Sequence, residues 1–115
     1  MADTTVRSGR KAARPLPLFG ETPEGELARL REAIDRVDEV LVKLINQRVR
    51  YAIEIGAMKR VTRQAIHSPE REREVLANVS RWSGGPLDAD AIRRVFELLI
   101  SESRRIEAEL AAEEG

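Results

Sequence analysis

Four cations and two carboxylates stand on or beside positions where the hydrophobic pattern of this sequence calls for apolar residues. Arg48 follows Leu27, Ile34 and Leu41 at seven-residue steps, so it takes a seam position. Lys59 comes eleven residues later, about 20° round the helical wheel and about 16 Å along the axis, so the two share a face. Arg31 precedes Arg48 by seventeen residues, about 100° away on the wheel. One helix can hardly bring both to a single site, whereas an Arg31 from a second chain can reach it. Glu72 continues the stripe of Val75, Leu76 and Val79, with Arg71 beside it. Ser103 interrupts the last apolar stripe, and Glu107 follows one turn later. Buried charge is costly unless it is paired or ligated. Arg31, Arg48, Lys59 and Arg71 outnumber Glu72 and Glu107. The surplus predicts an anionic ligand with two carboxylates gripped by arginine forks.

Each residue alone also fits a plainer role, because arginines snorkel from seam positions and Arg71 and Glu72 can pair with neighbours. Their joint placement is what points to a site. His67 reads as a loop residue, Trp82 as peripheral core, and Arg60 and Arg63 as solvated. The mixed run Glu70 to Glu74 is solvent-facing helix charge, from which only Arg71 and Glu72 lean inward.

The elements that must position these groups are helices. Leu27, Leu30, Ile34, Val37, Leu41 and Leu44 step by three and four, the pattern of an amphipathic helix. Tyr51, Ile55 and Met58 extend it past Arg48, and no proline intervenes before Thr62. One helix is expected over residues 26–61, interrupted only at Gly56 and roughly 50 Å long. It cannot cover its own seam and a short chain offers few partners, so helices from two chains are expected to pair. Thr62 to His67 reads as a loop. Ser68 then serves as N-cap and Pro69 as first helical residue. The second helix carries Val75, Leu76, Val79 and Trp82, and Ser83-Gly84-Gly85-Pro86 ends it. The third starts near Asp88 or Asp90 and shows Ile92, Val95, Phe96, Leu99, Ile106 and Leu110 on one stripe. No strand-like alternation and no internal repeat occurs. The expected fold is all-α: three helices per chain, the first very long, in a helical homodimer. Residues 26–112 form the domain. Residues 1–25 read as a flexible leader, basic at Arg7, Arg10, Lys11 and Arg14 and punctuated by Pro15, Pro17, Gly20, Pro23 and Gly25. A docking arm for another protein or an acidic surface is the alternative for that segment.

Composition narrows the function. The chain has 115 residues, the size of one domain. Its 20 Lys+Arg balance 20 Asp+Glu, which argues against a generally basic, nucleic-acid-binding surface. The absence of cysteine excludes disulfides, zinc–thiolate sites, iron–sulfur clusters and thiol nucleophiles. His67 is the only histidine, so a multi-histidine metal site and a Ser-His relay are both hard to build. Aromatics make up 3% of residues, too few for a base-stacking platform. No apolar run approaches the roughly 20 residues of a membrane span. No signal peptide is visible, so a cytoplasmic location is expected.

The same residues carry a resemblance. Leu30-Arg31-Glu32-Ala33-Ile34-Asp35-Arg36-Val37-Asp38 resembles the opening of the all-helical, type II chorismate mutases. So do Gln47-Arg48 followed by Ile55-Gly56-Ala57-Met58-Lys59, then Pro69-Glu70-Arg71-Glu72, then Phe96 through Ser103 with Glu107. The four pieces occur in order with compatible spacing over residues 27–110. The resemblance implies an intertwined homodimer with three helices per chain and two sites, each borrowing an arginine from the partner. It implies the Claisen rearrangement of chorismate to prephenate, on the route to phenylalanine and tyrosine. That reaction is pericyclic and needs no metal or cofactor, only a held conformer and stabilised charge on the breaking ether oxygen.

By position, the resemblance implies that Arg31 of the partner and Arg48 bind substrate carboxylates. Lys59 contacts a carboxylate and the ether oxygen. Arg71 supports the charge network, Glu72 accepts the ring hydroxyl's hydrogen bond, Ser103 sits by a carboxylate and Ile55 lines the ring pocket. Two positions depart from the family pattern. The residue paired with Lys59 at the ether oxygen is often glutamine, and here it is Glu107, which must be protonated to donate a hydrogen bond. Ser68 stands where some members carry an acid that fixes the hydroxyl.

Two other functions fit parts of the pattern. Isochorismate-pyruvate lyases share the fold and the cationic pocket, but Glu72 argues against a lyase. A non-catalytic dimerisation or regulatory module, docking another shikimate-pathway enzyme, is the reading from a different class.

Overall fold

The computed structural model describes residues 22–65 and 67–114. The basic cluster and most of the expected leader lie outside them. The described residues form three helices, α1 (Pro23–Val61), α2 (Pro69–Trp82) and α3 (Ala89–Glu114), and contain no strand. None of these helices is long and apolar enough to cross a membrane.

α1 begins three residues before its expected start. Thr22 caps it, its Oγ1 accepting the Gly25 N–H at 2.9 Å. Pro23 fills the first helical position, where its missing N–H costs nothing, and Glu24 and Glu26 favour the positive end of the helix dipole. Pro23 and Gly25 thus belong to the helix rather than to the leader. Gly56, expected as an interruption, lies inside continuous helix and is buried. α1 ends in a Schellman closure: the Gln64 N–H reaches the Lys59 carbonyl at 2.8 Å and the Arg63 N–H reaches that of Arg60 at 3.2 Å. This closure places Arg63 at φ 61°, a left-handed conformation that ordinarily selects glycine.

The two later helices start as expected. The Ser68 Oγ accepts the Arg71 N–H at 3.2 Å, with Pro69 next in line. Asp88 caps α3 through the Ala91 N–H at 2.8 Å. The Ser83 N–H closes α2 on the Val79 carbonyl at 3.1 Å.

The described residues divide into two compact units, one within residues 22–47 and the other within residues 48–114. In the larger unit α2 packs on α3, and Val79 is its buried apolar residue at 5% exposure. Trp82 is not peripheral core as expected: it is 69% exposed, with the Arg81 guanidinium 5.9 Å from its ring centroid. In the smaller unit the first part of α1 leaves Leu27, Leu30, Ile34, Val37, Leu41 and Leu44 all exposed.

Two substitutions test the helix ends. Arg63→Gly relieves the left-handed strain and should raise stability by about 0.5–1 kcal/mol. Ser68→Ala removes an N-cap and should lower it by about 1 kcal/mol. Urea midpoints at constant slope read both, and a destabilised Arg63→Gly would contradict the closure described here.

Candidate active site

The larger unit holds a cavity of about 260 Å³, just under the roughly 300–1,000 Å³ typical of drug-sized ligand sites. α1 contributes Arg48, Tyr51, Ala52, Ile55 and Gly56, spaced by three and four along a single face. Ser68, Arg71, Glu72 and Val75 come from the start of α2, and Ile100, Ser103, Arg104 and Glu107 from α3. Arg48, Ile55, Ser68, Arg71, Glu72, Ser103 and Glu107 therefore meet, as the sequence led one to expect. Lys59 does not line this cavity. It borders a second hollow that shares Tyr51 and Ile55 with the first, and its charge still acts on Glu107. Arg31 belongs to the other unit and does not line the cavity.

Arg48 enters half-buried, its guanidinium 5.7 Å from the Phe96 ring centroid. Burial lowers its pKa, and the positive charge of Arg71 lowers it further. Both effects disfavour the cation, and the opposite charge of a bound anion would offset them. Arg71 itself is exposed at the rim of the cavity it lines and is ion-paired along α2 to Glu74 at 2.6 Å.

The opposite wall is acidic but shielded. Ser103 is 4% exposed and donates its hydroxyl proton to the Leu99 carbonyl at 2.9 Å. Glu107 is 9% exposed. It packs where α1 has no side chain: a Cβ placed on Gly56 would lie 3.5 Å from the Cγ, Cδ and Oε1 of Glu107. Burial raises the Glu107 pKa, and Lys59, Arg60 and Arg104 pull it back without cancelling the rise. Glu72 is partly exposed and meets both Arg104 and His67 through one carboxylate oxygen.

Arg104 was missed by sequence reading, because the apolar stripe pointed to Ser103. The signal was present, since Arg104 stands at i+4 from Ile100 and i−3 from Glu107, both on the inward face. His67 lies in the loop as expected, but its contact with Glu72 was not foreseen.

The described residues include no His, Cys, Asp or Glu group arranged to hold a metal ion. The cavity pairs a partly desolvated cation, Arg48, with an acid, Glu107, whose pKa burial raises. Such a site can bind an anion at one end and donate a hydrogen bond to developing negative charge at the other.

Comparison with known proteins bears on this arrangement. Residues 30–108 match the family model "Chorismate mutase type II". The chain is 35% identical over 89 residues to a bifunctional chorismate mutase/prephenate dehydratase of Aquifex aeolicus, covering 74% of this chain and 25% of that protein. The enzyme of the same name from Escherichia coli is 35% identical over 83 residues, covering 71% and 22%. The chain thus spans about a quarter of the length of these curated relatives. Among solved structures, chorismate mutase (form II) from Thermus thermophilus superposes with a TM-score of 0.70 at 29% identity, covering 72% of this chain and 94% of that one.

The Glu107 carboxyl should titrate above the ordinary glutamate range when followed by 13C NMR. Gly56→Ala should move it higher still, because the added methyl displaces water from Oε1. The folded state then binds this proton more tightly than the unfolded chain. Stability should therefore fall as pH rises from the ordinary glutamate pKa through the raised one, and Glu107→Gln should remove that slope. An ordinary or lowered Glu107 pKa would contradict the account.

Proposed function

The chain belongs to the chorismate mutase type II family, and from that membership we propose that it converts chorismate to prephenate, as a cytoplasmic homodimer with two shared sites. The observation that carries the reading is the cavity itself, where Arg48 is partly desolvated beside the positive charge of Arg71 and burial raises the Glu107 pKa. In the rearrangement the ether C–O bond breaks as a C–C bond forms within the same molecule, in one cyclic shift of electrons. No nucleophile and no external proton enters the balance.

Arg48 takes one substrate carboxylate, and its charge is compensated on binding. Lys59, which borders the adjoining hollow and whose charge acts on Glu107, serves a carboxylate and the ether oxygen. Protonated Glu107 donates a hydrogen bond to the ether oxygen as negative charge grows there, which favours the transition state over the substrate. Glu72 accepts the ring hydroxyl's hydrogen bond, with Ser68 beside it. Ser103 lies by a carboxylate, Ile55 against the ring, and Arg71 adds positive potential from the rim.

Arg31 completes the site from the partner chain. Support comes from the seam that includes Leu27, Ile34, Val37, Leu41 and Leu44, which is exposed throughout. So long an apolar row is rare on a monomer, and a second copy of the same helix has the complementary pattern to cover it. Burial of that row would carry Arg31, which sits among its residues, to the neighbouring chain.

Three measurements test the proposal. Purified protein mixed with chorismate should yield prephenate faster than background and no pyruvate, and Arg48→Ala or Lys59→Ala should cost on the order of 10²-fold or more in rate. Pyruvate released from isochorismate, or no turnover at all, would overturn it. Activity should fall as pH rises through the Glu107 pKa, and Glu107→Gln should be flat between about pH 5 and 8.5. Arg31→Ala and Arg48→Ala, each inactive, should regain about one quarter of wild-type activity when subunits are mixed, because half the dimers then hold one intact site. A mixture that stays inactive after subunit exchange would place Arg31 elsewhere.

A further inference from the structure

One Glu72 oxygen is the meeting point of three elements. Its Oε2 lies 3.2 Å from Nη1 of Arg104 on α3 and 3.2 Å from Nε2 of His67 in the loop before α2. Arg104 Nη1 and His67 Nε2 are themselves 3.0 Å apart. A guanidinium can only donate and a carboxylate can only accept, so the Arg104–Glu72 contact has one sense. His67 has two. With a proton on Nε2 it donates to Glu72 beside Arg104. Without one it accepts from Arg104 and cannot donate to Glu72 through that atom. Arg104 is therefore the constant anchor and His67 the variable one.

We propose that Arg104 is a positioning residue for the reaction: it fixes the Glu72 carboxylate by Oε2, so that Oε1 is held ready for the substrate's ring hydroxyl, with His67 as auxiliary support. Glutamate has a flexible stem, and an exposed ion pair alone would not order it. Glu72 is partly covered, with its side chain 27% exposed, and the Arg104 contact joins α3 to α2 across the cavity. Arg104 itself lines the cavity but acts through Glu72, not on the reacting bonds. The hydroxyl is at no bond that breaks or forms, so its acceptor contributes similarly to substrate and transition-state binding. Loss of the anchor then appears chiefly in KM.

This inference rests on Glu72 being the hydroxyl acceptor, and a double-mutant cycle separates the two ideas. Arg104→Met should raise KM for chorismate about ten-fold with kcat little changed. Arg104→Lys, which keeps a donor and a charge, should recover most of that loss. In a Glu72→Gln background, Arg104→Met should add little. Equal losses in both backgrounds, or a lysine variant no better than methionine, would overturn the positioning role while Glu72→Gln alone still showed a raised KM. Wild-type kinetics in Glu72→Gln would overturn the reading of Glu72 itself. Should Arg104→Met fail to fold, Arg104→Gln and Arg104→Lys carry the same cycle. Gln then stands for loss of charge and Lys for its retention.

Discussion

The close approach of Glu107 to the backbone of α1 is the contact on which the rest of the site depends. Position 56 has no side chain, and a Cβ there would sit at ordinary van der Waals distance, 3.5 Å, from the carboxyl. That proximity removes water from an acid and favours its neutral form, against three neighbouring cations that favour the charged one. The balance is delicate by construction, because the same basic groups that attract an anionic ligand also work to ionise the acid. Burial has to win for Glu107 to donate a hydrogen bond rather than repel negative charge.

Charge elsewhere is handled locally. Lys43 pairs with Glu39, Arg93 with Asp90, and Arg105 with Glu102 and Glu109, each three or four residues apart on one helix. Such pairs contribute little to stability, but they occupy the surface charges. The interactions at the cavity have another character. Arg48 lies against Phe96, and Glu72 reaches Arg104 and His67 from other elements.

What the sequence revealed follows the range of the interactions involved. The caps at Ser68 and Asp88 were legible because an N-cap is decided within four residues. Arg48 on the seam of α1, and Ser103 and Glu107 on that of α3, were legible because helical periodicity is local as well. The start of α1 was misread, since proline and glycine mark both leaders and helix openings, and only the Thr22 hydroxyl decides between them. Arg63 in a left-handed closure was invisible, because the usual glycine signal is absent. Arg71 lines the cavity, as periodicity led one to expect, while also pairing with Glu74 one turn away. The contact of Arg104 with His67 spans 37 residues of sequence, and no pattern within one helix encodes it.

The apolar row along the first part of α1 has a consequence for how the proposed activity would depend on the amount of chain. On the proposed pairing, the surface that completes folding and the arginine that completes catalysis belong to the same encounter between two chains. Working sites then accumulate with the square of chain concentration when chains are scarce, and in simple proportion once pairing saturates. Dilution would silence each chain before it damaged any single residue, so synthesis rate becomes a throttle on flux even without a regulatory ligand.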